Sequence, residues 1–263
     1  MKLDICYIDA FTKVPFHGNT AAVVPLAAWL PETTMQAIAA ENNLSETAFF
    51  LTGAQEKIAI RWFSPLTEID FCGHATLASA YLLFQQNPSW TQLSFWADAV
   101  GELLVRRQPD GALQMAFPNR APKPVETIPP ALLAGLSEPP RAVYRNVQAY
   151  VALYDEEETI RRLKIQHAPL KTLAPYDVAV TAPGKESDFV SRYFWPANGG
   201  DEDPVTGSIH AALTPFWAER LGKTQLVARQ LSARGGILYC ALEGDRVLVS
   251  GHAVEYLRGT ITV

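Results

Sequence analysis

The sequence predicts an α+β protein of two similar lobes, each a curled, mostly antiparallel, barrel-like sheet around one central helix. Three observations carry that prediction. Two helical runs built from small and apolar residues, His74–Gln86 and Ser208–Leu221, occur one per half. The segments around them alternate as half-buried strands do. Between them Pro118, Pro122, Pro124, Pro129 and Pro130 fall within 13 residues, and proline removes donors and fixes φ, so an extended connector is expected there. A chain of 263 residues lies at the upper limit for a single hydrophobic core. The connector therefore divides an N-terminal lobe, residues 1–119, from a C-terminal lobe, residues 120–254.

In chain order, Leu3–Phe11 and Ala22–Pro25 read as strands. Thr33–Asn42 reads as a helix with Glu32 at its start, where a carboxylate complements the helix dipole. Thr47–Leu51, Ile58–Phe63, Leu93–Trp96, Gly101–Gln108 and Ala112–Phe117 follow as strands. Gln108-Pro109-Asp110-Gly111 is a hairpin signal, because glycine supplies the positive φ of such turns. The helix His74–Gln86 is apolar on nearly every face, so a sheet must curl round it. In the second half Val143–Tyr154, Ala179–Thr181, Gln225–Ser232, Gly236–Glu243 and Arg246–Ser250 are expected as strands. The helix Ser208–Leu221 ends at Gly222, suited to a left-handed C-terminal position.

Composition narrows the function. A formal charge of −5 argues against nucleic acid and anionic membrane as partners, since both select basic surfaces. No stretch of about 18 apolar residues is present to span a membrane. Met1 to Asp9 lacks the basic-then-apolar order of a signal peptide, and a cytoplasmic location is expected. Cys6, Cys72 and Cys240 are odd in number and far apart, giving neither a disulfide framework nor a zinc pattern, so no metal is expected. Dinucleotide, P-loop, zincin and nucleophile-elbow motifs are absent from the sequence, and no cofactor is expected.

The candidate chemistry sits where the two helices open. Cys72-Gly73-His74-Ala75-Thr76 precedes the first and Asp203-Pro204-Val205-Thr206-Gly207-Ser208 the second. Helix N-termini offer free N–H groups and partial positive charge, so the two openings together are expected to hold a small anionic metabolite in a cleft between lobes. His74 is either a packed ring or a proton-transfer group, and Cys72 either a small buried residue or its nucleophilic partner. Asp203 caps the helix, as Thr206 alternatively does, or orients a donor while the Gly207 and Ser208 amides bind a carboxylate. Asp201, Glu202 and Asp203 are expected to repel one another. Glu46, at the mouth of an apolar strand, is a solvated carboxylate or a general base. In Phe16-His17-Gly18-Asn19-Thr20 the residues serve a tight turn or bring the Asn19 amide to the ligand.

Together these motifs resemble the PhzF family of isomerases. The resemblance runs from Asp9-Ala10-Phe11-Thr12 and Pro15-Phe16-His17-Gly18-Asn19 to Gly251-His252-Ala253-Val254. It passes through Leu44-Ser45-Glu46-Thr47-Ala48-Phe49, Arg61-Trp62-Phe63-Ser64-Pro65 and the two helix openings. Thr20 departs from the proline that many members carry after Gly-Asn. The resemblance implies a diaminopimelate epimerase-like fold in which a last strand, about residues 255–263, returns to the first lobe. It also implies a homodimer and a cofactor-independent proton shuttle on a small, cyclic, amino-substituted carboxylate, in a biosynthetic role. Glu46 would move the proton, His74 and Asp203 would act with it, and Asn19, Gly73, Gly207 and Ser208 would bind substrate. Two alternatives stay open: a two-cysteine amino-acid racemase or epimerase on the same fold, and a small-molecule binding protein without turnover. The second-half opening carries Asp203-Pro204 where a racemase would need its second thiol.

Overall fold

The computed structural model describes residues 1–53 and 56–263, which fall into one unit of Met1–Ala116 with Ser250–Val263 and another of Phe117–Val249. In the first unit, β1 (Lys2–Ala10) pairs antiparallel with β2 (Asn19–Leu26). The chain then crosses through α1 (Glu32–Asn42) to lay β3 (Glu46–Leu51) parallel to β2, with Ala21 opposite Glu46. Antiparallel β4 (Ile58–Phe63) and the short β5 (Glu68–Ile69) follow, and then the buried helix α2 (Gly73–Gln86). β6 (Gln92–Ala97) returns parallel to β4, and β7 (Gly101–Arg107) and β8 (Leu113–Pro118) continue as hairpins. Gly111 closes the last turn at φ 86°, the left-handed value the sequence calls for.

The sheet is covered on both faces. Helix α2 packs on β1, β2, β3 and β7. On the opposite side α1 buries Met35, Ile38 and Ala39 against Ile5, Ala22, Val24, Phe49 and Phe63. Double coverage explains why β2 and β3 are apolar almost throughout instead of alternating.

The second unit begins at Phe117, directly before the proline-rich stretch, which is not wholly irregular. It holds β9 (Lys123–Pro124) and leads into α3 (Pro130–Gly135), where Pro130 takes the first helical position that proline tolerates. The expected strand Val143–Tyr154 is a hairpin of β10 (Ala142–Arg145) and β11 (Ala149–Leu153). Asn146 breaks it: its Oδ1 accepts the amides of Gln148 and Ala149 at 2.9 and 2.8 Å, an Asx turn. Helices α4 (Glu157–Arg162) and α5 (His167–Lys171) precede β12 (Asp177–Pro183), which is parallel to β11. β13 (Phe189–Phe194) and β14 (Glu202–Asp203) add antiparallel neighbours, and α6 (His210–Leu221) follows. β15 (Gln225–Gln230) runs parallel to β13 and pairs with β16 (Gly236–Glu243). The small helices cover one face of this sheet, with Leu132, Ile160, Leu163 and Leu170 packed on Val178, Val180 and Phe194. Helix α6 packs on β15 and β16 and ends at Gly222 with φ 63°.

After β17 (Arg246–Gly251), β18 (Ala253–Thr262) pairs antiparallel with β1 along its whole length and touches α2. No helix among the described residues is long and apolar enough to cross a membrane.

Candidate functional site

In the first unit the register brings three chain openings together. Asn19 is the first residue of β2, Glu46 the first of β3, and His74 the second of α2, with Cys72 as the extended residue before the helix. The parallel β2–β3 pairing sets Glu46 beside the start of β2, and α2 lies across both strands. Thr76 locks the helix start by donating its hydroxyl to the Cys72 carbonyl at 2.6 Å. The turn into β2 needs Gly18, whose φ is 68° and whose missing Cβ would stand 2.1 Å from the Ala10 carbonyl oxygen.

His74 is the hub of this cluster. Its Nε2 stands 3.1 Å from Glu46 Oε2, at ion-pair distance but off the line of an aligned hydrogen bond. Its Nδ1 lies 3.1 Å from Asn19 Nδ2 and 3.4 Å from Cys72 Sγ. The His74 side chain is 5% exposed and that of Glu46 14%, so the pair is dry at the ring and wetter at the carboxylate. Burial pulls the His74 pKa down, but Cys72 and Glu46 more than offset it and raise it well above the ordinary 6.5. Burial, with the Glu46 charge beside it, pushes the Cys72 thiol up to about 11. Cys72 is therefore uncharged at neutral pH. Asn19 can serve either form of His74, its amide nitrogen donating to a bare Nδ1 and its oxygen accepting from a protonated one.

One donor atom from each of Glu46, Cys72 and His74 lies within 4.8 Å of the other two, so these are the residues that could hold a metal ion. The arrangement also suits proton transfer directly: a carboxylate acceptor, an imidazole partner and an amide that fixes the ring.

In the second unit the structure corrects two expectations about the helix opening. α6 starts at His210, because Gly207–Ile209 form a tighter turn in which the His210 and Ala211 amides donate to the carbonyls of Gly207 and Ser208. Neither Asp203 nor Thr206 caps the helix; the cap residue is Ile209, without a side-chain bond. The Thr206 hydroxyl instead donates to Asp203 Oδ2 at 2.5 Å. Nor are the three acids left to repel one another. Glu202 accepts a two-pronged bond from Arg192 at 2.7 and 2.8 Å, and Asp201 pairs with His167 at 2.8 Å.

The residue that shapes this loop is Gln230, which sequence reasoning missed. Fully buried at the end of β15, it accepts the Thr206 amide at 2.9 Å and donates to the Asp203 carbonyl at 2.8 Å and to the Thr206 hydroxyl at 3.2 Å. Its signal was a polar residue on the inward face of a strand that otherwise buries Leu226 and Ala228. Asp203 is thus a braced carboxylate, and Gly207 and Ser208 follow in the turn that leads into α6.

Comparison with known proteins shows the family and the fold. Residues 8–259 match the phenazine biosynthesis-like protein family, PhzC-PhzF. An uncharacterized isomerase of Pseudomonas aeruginosa is 48% identical over 261 residues, covering 99% of each chain. A mouse phenazine biosynthesis-like domain-containing protein is 38% identical across the whole of both chains. The crystal structure of a PhzF-family phenazine biosynthesis protein from Enterococcus faecalis superposes with a TM-score of 0.94 at 40% identity, covering 100% of both chains. A hydroxyproline epimerase from Agrobacterium vitis, 9% identical with a TM-score of 0.61 over 99% of this chain and 92% of its own, shares the fold.

Proposed function

The chain belongs to the phenazine biosynthesis-like (PhzC-PhzF) family of isomerases, and from that premise we propose that it moves a proton between carbons of a small, carboxylate-bearing substrate with Glu46 as the base. The observation that carries this reading is the buried Glu46–His74 contact of 3.1 Å, with Asn19 and Cys72 on the far ring nitrogen. A carbon acid needs one poised acceptor and a donor that stabilises the charge developing as the proton leaves. Glu46 supplies the acceptor and the His74 N–H the donor. Asp203, with the Gly207 and Ser208 amides, binds the polar groups of the substrate, and the substrate class is a cyclic, amino-substituted carboxylate.

The two-thiol racemase reading lacks support of this kind. Burial pushes Cys72 up to about 11 and Cys240 up to about 12, so neither is poised as a thiolate.

The test is solvent deuterium entry at carbon, followed by mass spectrometry over a panel of cyclic amino-carboxylates. The unaltered protein is expected to label one of them, and Glu46→Gln to bind that compound without labelling it. Normal labelling by Glu46→Gln removes Glu46 from the role. Saturable binding without exchange across the panel would favour a binding protein instead.

A further inference from the structure

The turn before α6 is held from a second side by a chain of hydrogen bonds that the proton-transfer reading does not use. Asp177 opens β12 and accepts two bonds, from the Tyr193 hydroxyl to Oδ2 at 2.7 Å and from Asn198 Nδ2 to Oδ1 at 2.7 Å. Gln148 Nε2 lies 2.9 Å from the Tyr193 oxygen and 2.9 Å from Ser208 Oγ. Tyr193 is buried at 4% exposure, and burial together with Asp177 holds its pKa well above 10, so the phenol keeps its proton.

Counting protons gives this chain a direction. A carboxylate only accepts, so the single Tyr193 proton goes to Asp177. The Tyr193 oxygen is then an acceptor, and the end of Gln148 that faces it must be the NH2. Its second proton points to Ser208 Oγ, which accepts. The Ser208 hydrogen is left to turn away from Gln148.

We propose that Asp177, Tyr193 and Gln148 form a positioning relay that fixes Ser208 as a hydrogen-bond donor to the anionic group of the substrate. The proposal rests on the reading of Ser208 as a substrate-binding residue and adds what sets its polarity. Without the relay a serine hydroxyl turns equally well to offer a lone pair, which an anion rejects. With it one of the two lone pairs on Oγ is already engaged by Gln148, so the hydroxyl is biased toward donating before the ligand arrives and less reorganisation is needed on binding.

Benzoate, a ring carboxylate, is the probe, titrated calorimetrically into the folded 263-residue chain and its variants. Gln148→Leu is expected to weaken binding about tenfold and Ser208→Ala by about tenfold or more, the range of one hydrogen bond to a charged group. The double variant is expected to be no weaker than Ser208→Ala alone, which general damage to the loop would not reproduce. Tyr193→Phe, which keeps the ring and its packing, is expected to weaken binding several-fold. Full-strength binding by both Gln148→Leu and Tyr193→Phe overturns the relay while leaving Ser208 as a ligand. An equal further loss from Gln148→Leu in the Ser208→Ala background also overturns it. Unchanged binding by Ser208→Ala, or no saturable benzoate binding at all, removes the donor and the relay together. Deuterium exchange through Glu46 would survive any of these results, so the two ideas fail separately.

Discussion

His210 gives the sharpest test of the energetics. It opens α6 with its ring fully buried, tilted against Phe189 with centroids 5.9 Å apart. Nδ1–H donates to the Thr206 carbonyl at 2.9 Å, while Nε2 is buried without a hydrogen-bond partner among the described residues. A proton on Nε2 would be an unpaired buried charge at the positive end of a helix. Burial accordingly pulls the pKa from 6.5 down to about 4, the Thr206 bond opposing it only in part. The unfolded chain takes up this proton below 6.5, whereas the folded chain refuses it until about 4. Stability from this group is therefore fully present above 6.5 and lost as the pH falls to about 4, for a total of about 3 kcal/mol. Urea unfolding at about pH 7 and about pH 4.5 measures it against His210→Phe, which fills the site and cannot titrate. The variant starts less stable because it loses the Thr206 bond. Between the two pH values the unaltered protein is expected to lose about 2–3 kcal/mol more than the variant. Equal losses would show that His210 carries no proton-linked penalty and would refute the reasoning.

The Glu46–His74 pair makes a spectroscopic prediction. Imidazole NMR shifts are expected to report His74 still protonated at neutral pH, and its titration to move down in Glu46→Gln, where Cys72 alone is left to oppose burial; an unchanged titration would deny the coupling. Stability from the raised His74 pKa is present below 6.5 and lost as the pH rises through its folded value. Cys6, Cys72 and Cys240 are all free and buried, so Ellman's reagent should titrate no thiol in the native protein and three after unfolding; fast native labelling of Cys72 would contradict its burial. Gly18→Ala forces a side chain into the left-handed region and onto the Ala10 carbonyl 2.1 Å away. It should cost more than about 1 kcal/mol in a thermal melt, and a stability within error of the original would mean the turn relaxes freely.

Much of the architecture was legible because it is written locally. The apolar run of α2, the hairpin at Gly111, the C-terminal glycine of α6 and the strand pattern of the first unit are all short-range signals. The second unit was read less well for an equally local reason. Helices α4 and α5 span only 6 and 5 residues, too short for a periodic pattern to emerge. α4 did carry acids in its first turn and Arg161 and Arg162 in its last, with a 2.5 Å bond from Arg161 to Glu157. That charge order was a usable sign. Asn146 concealed a turn within the apolar-leaning run Val143–Tyr154, since an Asx turn needs one side chain and no glycine.

The site was legible as residues but not as bonds. Glu46, His74 and Asn19 come from three separate chain openings, and their meeting depends on a parallel β2–β3 register that no local pattern dictates. Gln230 and Gln148 act over 24 and 60 residues of sequence, so only their burial on strand faces or in turns could have flagged them. Where the sequence predicted charge crowding, Arg192 and His167 each took one acid out of play.

The geometry of the first unit also ties the two ends of a proton transfer together. His74 is a buried ring at a helix N-terminus, and both conditions oppose a positive charge there. Cys72 and the Glu46 carboxylate 3.1 Å away together outweigh both and raise its pKa. In the proposed reaction Glu46 would lose its charge on accepting a proton from carbon, and His74 would become a stronger acid with it. The base step would then prime the acid step. A substitution at either member should then alter both limbs of a pH–rate profile, whereas independent groups would each move one.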